Sequence, residues 1–150
     1  MQNGGMSIRL VVGSEHSQFV RADIREYAFP DRDDDADGNW LTVGLEIHVE
    51  PLGGSYDALW RTEFVAPFRR QLESLYRSLE GDATFRPDWE GSLALDLHGD
   101  GIGHISVKGE ACPDAAIGPW LRFQLPDIDQ TYLPDMISAL TEVESAFPVR

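Results

Sequence analysis

Residues 40–50 read Trp-Leu-Thr-Val-Gly-Leu-Glu-Ile-His-Val-Glu, and the alternation in this stretch decides the fold class. Leu41, Val43, Leu45, Ile47 and Val49 fall on one side; Trp40, Thr42, Glu46, His48 and Glu50 fall on the other. Successive side chains of an extended chain point to opposite faces, so a period of two marks a strand with one buried face. One dry face and one wet face are characteristic of antiparallel sheets.

The neighbouring segments extend this reading in both directions. Residues 19–29 set Val20, Ala22 and Ile24 against Arg21, Asp23 and Arg25, and residues 7–12 form a short apolar run, so both predict strands. Gly53-Gly54 predicts a turn, with a return strand over 55–60. The period then lengthens. Val65, Phe68, Leu72, Leu75, Tyr76 and Leu79 recur every three or four residues, the stripe of an amphipathic helix. Thr62 is its expected N-cap, Pro67 lies near its start, and Gly81 is expected to close it. Strands are predicted again at 83–86, 92–98, 103–111 and 120–125, with Gly99-Asp100-Gly101 as a hairpin turn. A second helix is expected from about Thr131, with Pro134 in its first turn and Leu133, Met136, Ile137, Leu140, Val143 and Phe147 as its apolar stripe.

The economical assembly is α+β: a mostly antiparallel twisted β-sheet with two helices packed on one face, in two layers. No internal repeat or linker is visible, so residues 1–150 are expected to form a single domain. Residues 1–6 are expected to be flexible and residues 31–38 to form an acidic loop.

Composition narrows the function classes. The 150 residues hold 26 Asp plus Glu against 12 Lys plus Arg, a formal charge of −14, and the pI is about 4.4. Such a surface repels phosphates, so no nucleic-acid partner is expected. Lys108 is the single lysine, which leaves no polybasic membrane anchor. The first residues lack the basic and apolar regions of a secretory signal, and no run reaches the roughly 18 apolar residues of a membrane span. With a lone Cys112, there is no internal disulfide, and a cytoplasmic location is expected.

Two constellations invite a metal reading. Asp33-x-Asp35-x-Asp37-Gly38 resembles the opening of a calcium loop, but the twelfth position, where a bidentate Glu belongs, is Gly44. Asp96, His98, Asp100 and His104 flank a hairpin, where His98 and His104 would meet a metal if they lay opposite one another. Neither has a complete ligand signature, and no nucleophile elbow, phosphate loop or zinc-protease motif is present. The expectation is therefore no cofactor and no catalysis.

The polar sheet face is the richer feature. Projecting the alternation places Trp40, Glu46 and His48, then Asp96 and His98, then Lys108 and Glu110, then Trp120 and Arg122 on it, large aromatics among charges as in protein interfaces. Asp33, Asp35 and Asp37 would add negative charge from the loop.

The C-terminal third adds a resemblance. Asp129-Gln130-Thr131-Tyr132-Leu133, the helix after it and Ala146-Phe147-Pro148 resemble the closing segment of WapI-type bacterial immunity proteins. Trp40-Leu41, the helix pattern from Phe68 to Gly81 and a hairpin from Leu93 to Val107 fit the same layout, so the likeness spans residues 39–148. It implies a non-enzymatic protein that neutralises a cognate toxin by direct binding, and it supplies no catalytic residues. A basic protein toxin is the partner that the acidic balance would favour, the chain acting as a monomer or weak homodimer. The alternatives are a small metal- or ligand-binding protein using Asp33, Asp35 and Asp37 or His98 and His104, and an oligomeric module pairing through a sheet edge.

Overall fold

The alternating segments pair as two antiparallel meanders, each followed by a helix. The structure, a computed structural model, describes residues 7–150, so the flexible start expected at residues 1–6 lies outside the described residues. The first meander is β1 (Ile8–Gly13), β2 (Phe19–Tyr27), β3 (Trp40–Val49) and β4 (Leu52–Arg61), hydrogen-bonded in that order. A 3-10 turn at Thr62–Phe64 leads into α1 (Val65–Ser78). The second is β5 (Glu80–Phe85), β6 (Leu93–Asp100), β7 (Ile105–Ala111) and β8 (Leu121–Leu125), again in sequence order. A 3-10 turn at Gln130–Tyr132 then opens α2 (Leu133–Ala146).

The class is α+β with antiparallel strands, as the periodicity indicates. The eight strands divide between two four-stranded sheets and do not form one. The break falls at α1: β4 ends in the helix, and β5 restarts beside it to pair with β6.

The division exposes a repeat that the residues conceal. The buried stripe of α1 is Val65, Phe68, Leu72 and Leu75; that of α2 is Leu133, Met136, Leu140 and Val143, each 68 residues after its counterpart. The entries match as well. The Thr62 amide donates to the Asn39 carbonyl, and the Gln130 amide, 68 residues on, donates to the Gly103 carbonyl, both at 2.9 Å. Each helix packs against the first strand of the other meander, α1 on β5 and α2 on β1, and the helices pack on each other. Arg69 of α1 clasps Glu144 of α2 and Glu73 of its own helix. The apolar faces of both sheets and both stripes thus form one cluster, in which Phe85 stacks on Phe68 at 4.5 Å and meets Trp60 edge-on at 5.2 Å.

Three helix and turn expectations are corrected. Thr62 is not a side-chain cap, since its buried hydroxyl has no hydrogen-bond partner. Nor does Gly81 close α1. Leu79 takes the left-handed conformation (φ 63°), its amide bonded to the Leu75 carbonyl at 2.7 Å, while Gly81 already belongs to β5. Gly99 explains the tight junction: a Cβ there would lie 2.5 Å from the Leu79 carbonyl oxygen and 2.6 Å from the Leu75 side chain. The β6–β7 turn begins two residues later than expected, because Gly99 and Asp100 still pair with Gly81 and Glu80. The Asp100 carboxylate accepts the amides of Ile102 (2.9 Å) and His104 (3.1 Å), which hold its pKa below the usual carboxylate range.

Because each helix completes the other half's core, the halves are expected to melt together. Leu72→Ala or Leu140→Ala should each cost about 2–5 kcal/mol, the range for emptying a buried Leu site. Urea titrations followed by far-UV circular dichroism and by Trp fluorescence should stay coincident in both variants. Two separated transitions would show that the halves fold independently.

Candidate functional site

The end of β4 places an arginine where a water-facing residue is expected. Arg61 pairs with Trp40 across β3–β4 and is only 2% exposed. Its guanidinium lies 4.9 Å from the ring centres of both Trp40 and Trp89. Nη1 donates to the Ala36 carbonyl (3.0 Å), Nη2 to the Asp35 carbonyl (2.8 Å) and Nε to Glu63 (2.6 Å). Trp40 Nε1 also donates to the Ala36 carbonyl, at 3.2 Å. A buried guanidinium is tolerable only when paired and hydrogen-bonded, and each cation–π contact adds about 0.5–2 kcal/mol.

A second arginine holds the base of the same loop. Arg150 donates to the carbonyls of Gly38 (3.0 Å), Pro30 (3.1 Å) and Phe29 (3.0 Å), with its guanidinium 3.9 Å from the centre of the Tyr27 ring. The fully buried Asn39 side chain bonds both backbone groups of Arg150. The acidic loop is therefore held inward by its carbonyls, while residues 31–36 stay exposed. Arg32 pairs with Asp37 (2.7 Å) and Asp34 (3.5 Å). The carboxylates of Asp31, Asp33 and Asp35 have no ion-pair partner among the described residues.

Trp89 and Arg61 were not singled out in the sequence, yet they organise this corner. Trp89 meets Trp40 edge-on at 5.7 Å and remains 68% exposed. The loop that carries it is tied down by Asp88, whose carboxylate accepts the amides of Glu90, Gly91 and Ser92. The available signal was an aromatic between acids in a Pro/Gly-bounded loop, Pro87-Asp88-Trp89-Glu90-Gly91.

The other anticipated residues are not gathered on one face. Trp40, Glu46 and His48 share β3, but Glu46 accepts from Arg21 (2.6 Å), and His48 stacks on Phe19 and pairs with Glu50. Glu110 and Arg122 pair across β7–β8 at 2.7 Å in the second sheet, next to Trp120, which is 58% exposed. The single polar face projected from the alternation is thus split between two sheets.

The metal constellations do not converge. Asp35 and Ala36 present their carbonyls to Arg61, not to a central cavity. His98 lies opposite Ser106 and bonds Asp82, whereas His104 bridges to Asp129. Among the described residues no group of three or more His, Cys, Asp or Glu is placed to hold a metal ion.

Arg61→Met should lower stability by about 3 kcal/mol, since it removes the charge from Glu63 and the donors from two carbonyls. Amide hydrogen exchange over residues 31–38 should accelerate while exchange in β6 and β7 stays slow. An unchanged loop in the variant would contradict the pinning role.

No curated protein matches the chain significantly. The model of the immunity protein WapI-like family matches residues 9–148. The match begins thirty residues before the stretch in which the resemblance was legible, so it takes in β1, β2 and the acidic loop. The chain belongs to the WapI-like immunity protein family.

Proposed function

We propose that this chain neutralises a cognate bacterial toxin by binding it directly in the cytoplasm, without catalysis of its own. Family membership supports the toxin-neutralising role in general. The observation that carries direct binding is the corner of the first sheet, where three unpaired carboxylates stand on a backbone fixed by Arg61 and Arg150 beside an exposed Trp89. A rigid anionic rim around aromatic anchors is the composition of a preorganised protein interface.

The toxin's contact surface is then basic. Asp33, Asp35 and Asp37 supply steering charge and Trp40 the anchor, with Glu46 and His48 farther along β3. Six residues of strand separate Trp40 from Glu46, about 20 Å, within the span of a standard interface. Trp120, Glu110 and Arg122 form a separate patch on the second sheet. The chain acts as a monomer or weak homodimer, with neither nucleic acid nor membrane as partner. No described helix is long and apolar enough to cross a membrane.

The test is co-expression with the toxin domain encoded by the adjacent reading frame. The chain should restore growth and co-purify with that domain at about 1:1. Asp33→Asn/Asp35→Asn/Asp37→Asn should slow association about tenfold at low salt and leave melting nearly unchanged, because exposed charges act mainly on encounter rates. Persistent toxicity despite soluble expression of both proteins would contradict the proposal.

A further inference from the structure

A groove of about 420 Å³ opens where the outer face of the first sheet meets the loops of the second. Thr42 and Leu59, partners across β3–β4, form its floor, and Trp40 lines it too. Glu90, Pro113 and Ala115 line the opposite side. The wall is anchored to the floor: the Tyr56 hydroxyl donates to the Ser92 carbonyl, and the Arg61 amide donates to the Pro87 carbonyl at 2.8 Å.

The charges in the groove are unbalanced. Asp57, Asp88 and Glu90 line it against one cation, Arg25. Arg25 lies across Gly44, where a Cβ would collide with its guanidinium, and reaches Asp57 at 3.2 Å with both side chains largely in water. Asp88 is buried and occupied by three amides and the Ser92 hydroxyl. Glu90 has no ion-pair partner among the described residues. An anion is excluded by this balance, and a purely apolar side chain would strip water from Asp57 and Glu90 without compensation. A long cationic side chain satisfies both halves of the groove. Its methylenes lie on Leu59 and its head reaches the carboxylates.

We propose that this groove receives one arginine or lysine side chain of the toxin. The assignment rests on the toxin-binding reading and names the residues that would give it specificity. It also differs from the steering role of the acidic loop, because a side chain seated between sheet and loop governs dissociation more than encounter.

The probe is the toxin domain encoded by the adjacent reading frame, with affinity measured by calorimetry or surface plasmon resonance. Leu59→Arg places a resident cation in the groove and should weaken binding by roughly 100-fold, chiefly by faster dissociation, the scale of an interface hot spot. Asp57→Asn/Glu90→Gln keeps the shape, removes the charge and should weaken binding by about 10-fold or more. Circular dichroism checks that each variant is folded; should Leu59→Arg not fold, the Asn/Gln variant carries the test. A double-mutant cycle should then couple Glu90 to one Arg or Lys of the toxin. Wild-type affinity in folded groove variants would overturn the groove assignment and leave the toxin-binding reading standing. No binding by the wild-type chain would overturn both.

Discussion

The Arg61 guanidinium is the interaction on which the acidic-loop corner of the molecule depends. Three pieces of the chain meet at this one group: the acidic loop through the Asp35 and Ala36 carbonyls, the start of β3 just after it through Trp40, and the distant 87–91 loop through Trp89. Burying a cation is costly, and the cost is offset only if every donor finds an acceptor. That requirement determines which way the loop faces. Its carbonyls turn inward to the arginine, so its carboxylates remain in water, where repulsion among five aspartates is screened. Arg150 repeats the device at the loop's base. A loop whose charge would otherwise favour disorder becomes a fixed surface.

The two-part fold provides the setting and also shows what is particular to this corner. Arg61 corresponds to Asp129 at the offset of 68 residues, and its pairing with Trp40 corresponds to the bridge between Asp129 and His104, the latter 64 residues after Trp40. The same structural slot carries different chemistry. In the second half Asp129 accepts the Thr131 amide at 2.9 Å and serves its own turn, with its pKa lowered by the hydroxyl and amide of Thr131. In the first half Arg61 is buried and holds a loop on each side. The buried helix positions keep the repeat, while this slot does not.

Much of the fold was legible in the sequence because burial imposes periodicity. The alternation at 40–49 and the buried positions of both helices were read directly, since a misplaced apolar residue there would face water; Tyr76, expected in the α1 stripe, is exposed, and Leu79 lies just past the helix end. The repeat was not legible, because Phe68 against Met136 or Leu72 against Leu140 preserves volume and hydrophobicity without preserving a motif. The division into two sheets was hidden for a similar reason: strand pairing around α1 is a long-range choice that no local pattern encodes. The Asp-rich loop and Trp40 were found from composition and alternation. Arg61 and Trp89 were missed, because an arginine at a strand end reads as surface until the acceptors from elsewhere in the chain are brought to it. Trp120, Glu110 and Arg122 were assigned to the same face as Trp40 only because a single sheet was assumed.

The central claim is that the corner organised by Arg61 is the surface a toxin covers. Hydrogen-exchange mass spectrometry of the chain, free and bound to the toxin domain encoded beside it, tests this most directly. The account predicts new protection over residues 31–42, 57–61 and 88–92, with the exposed face of β7 and β8 unchanged. Protection confined to residues 106–124, around Lys108, Trp120 and Arg122, would contradict it.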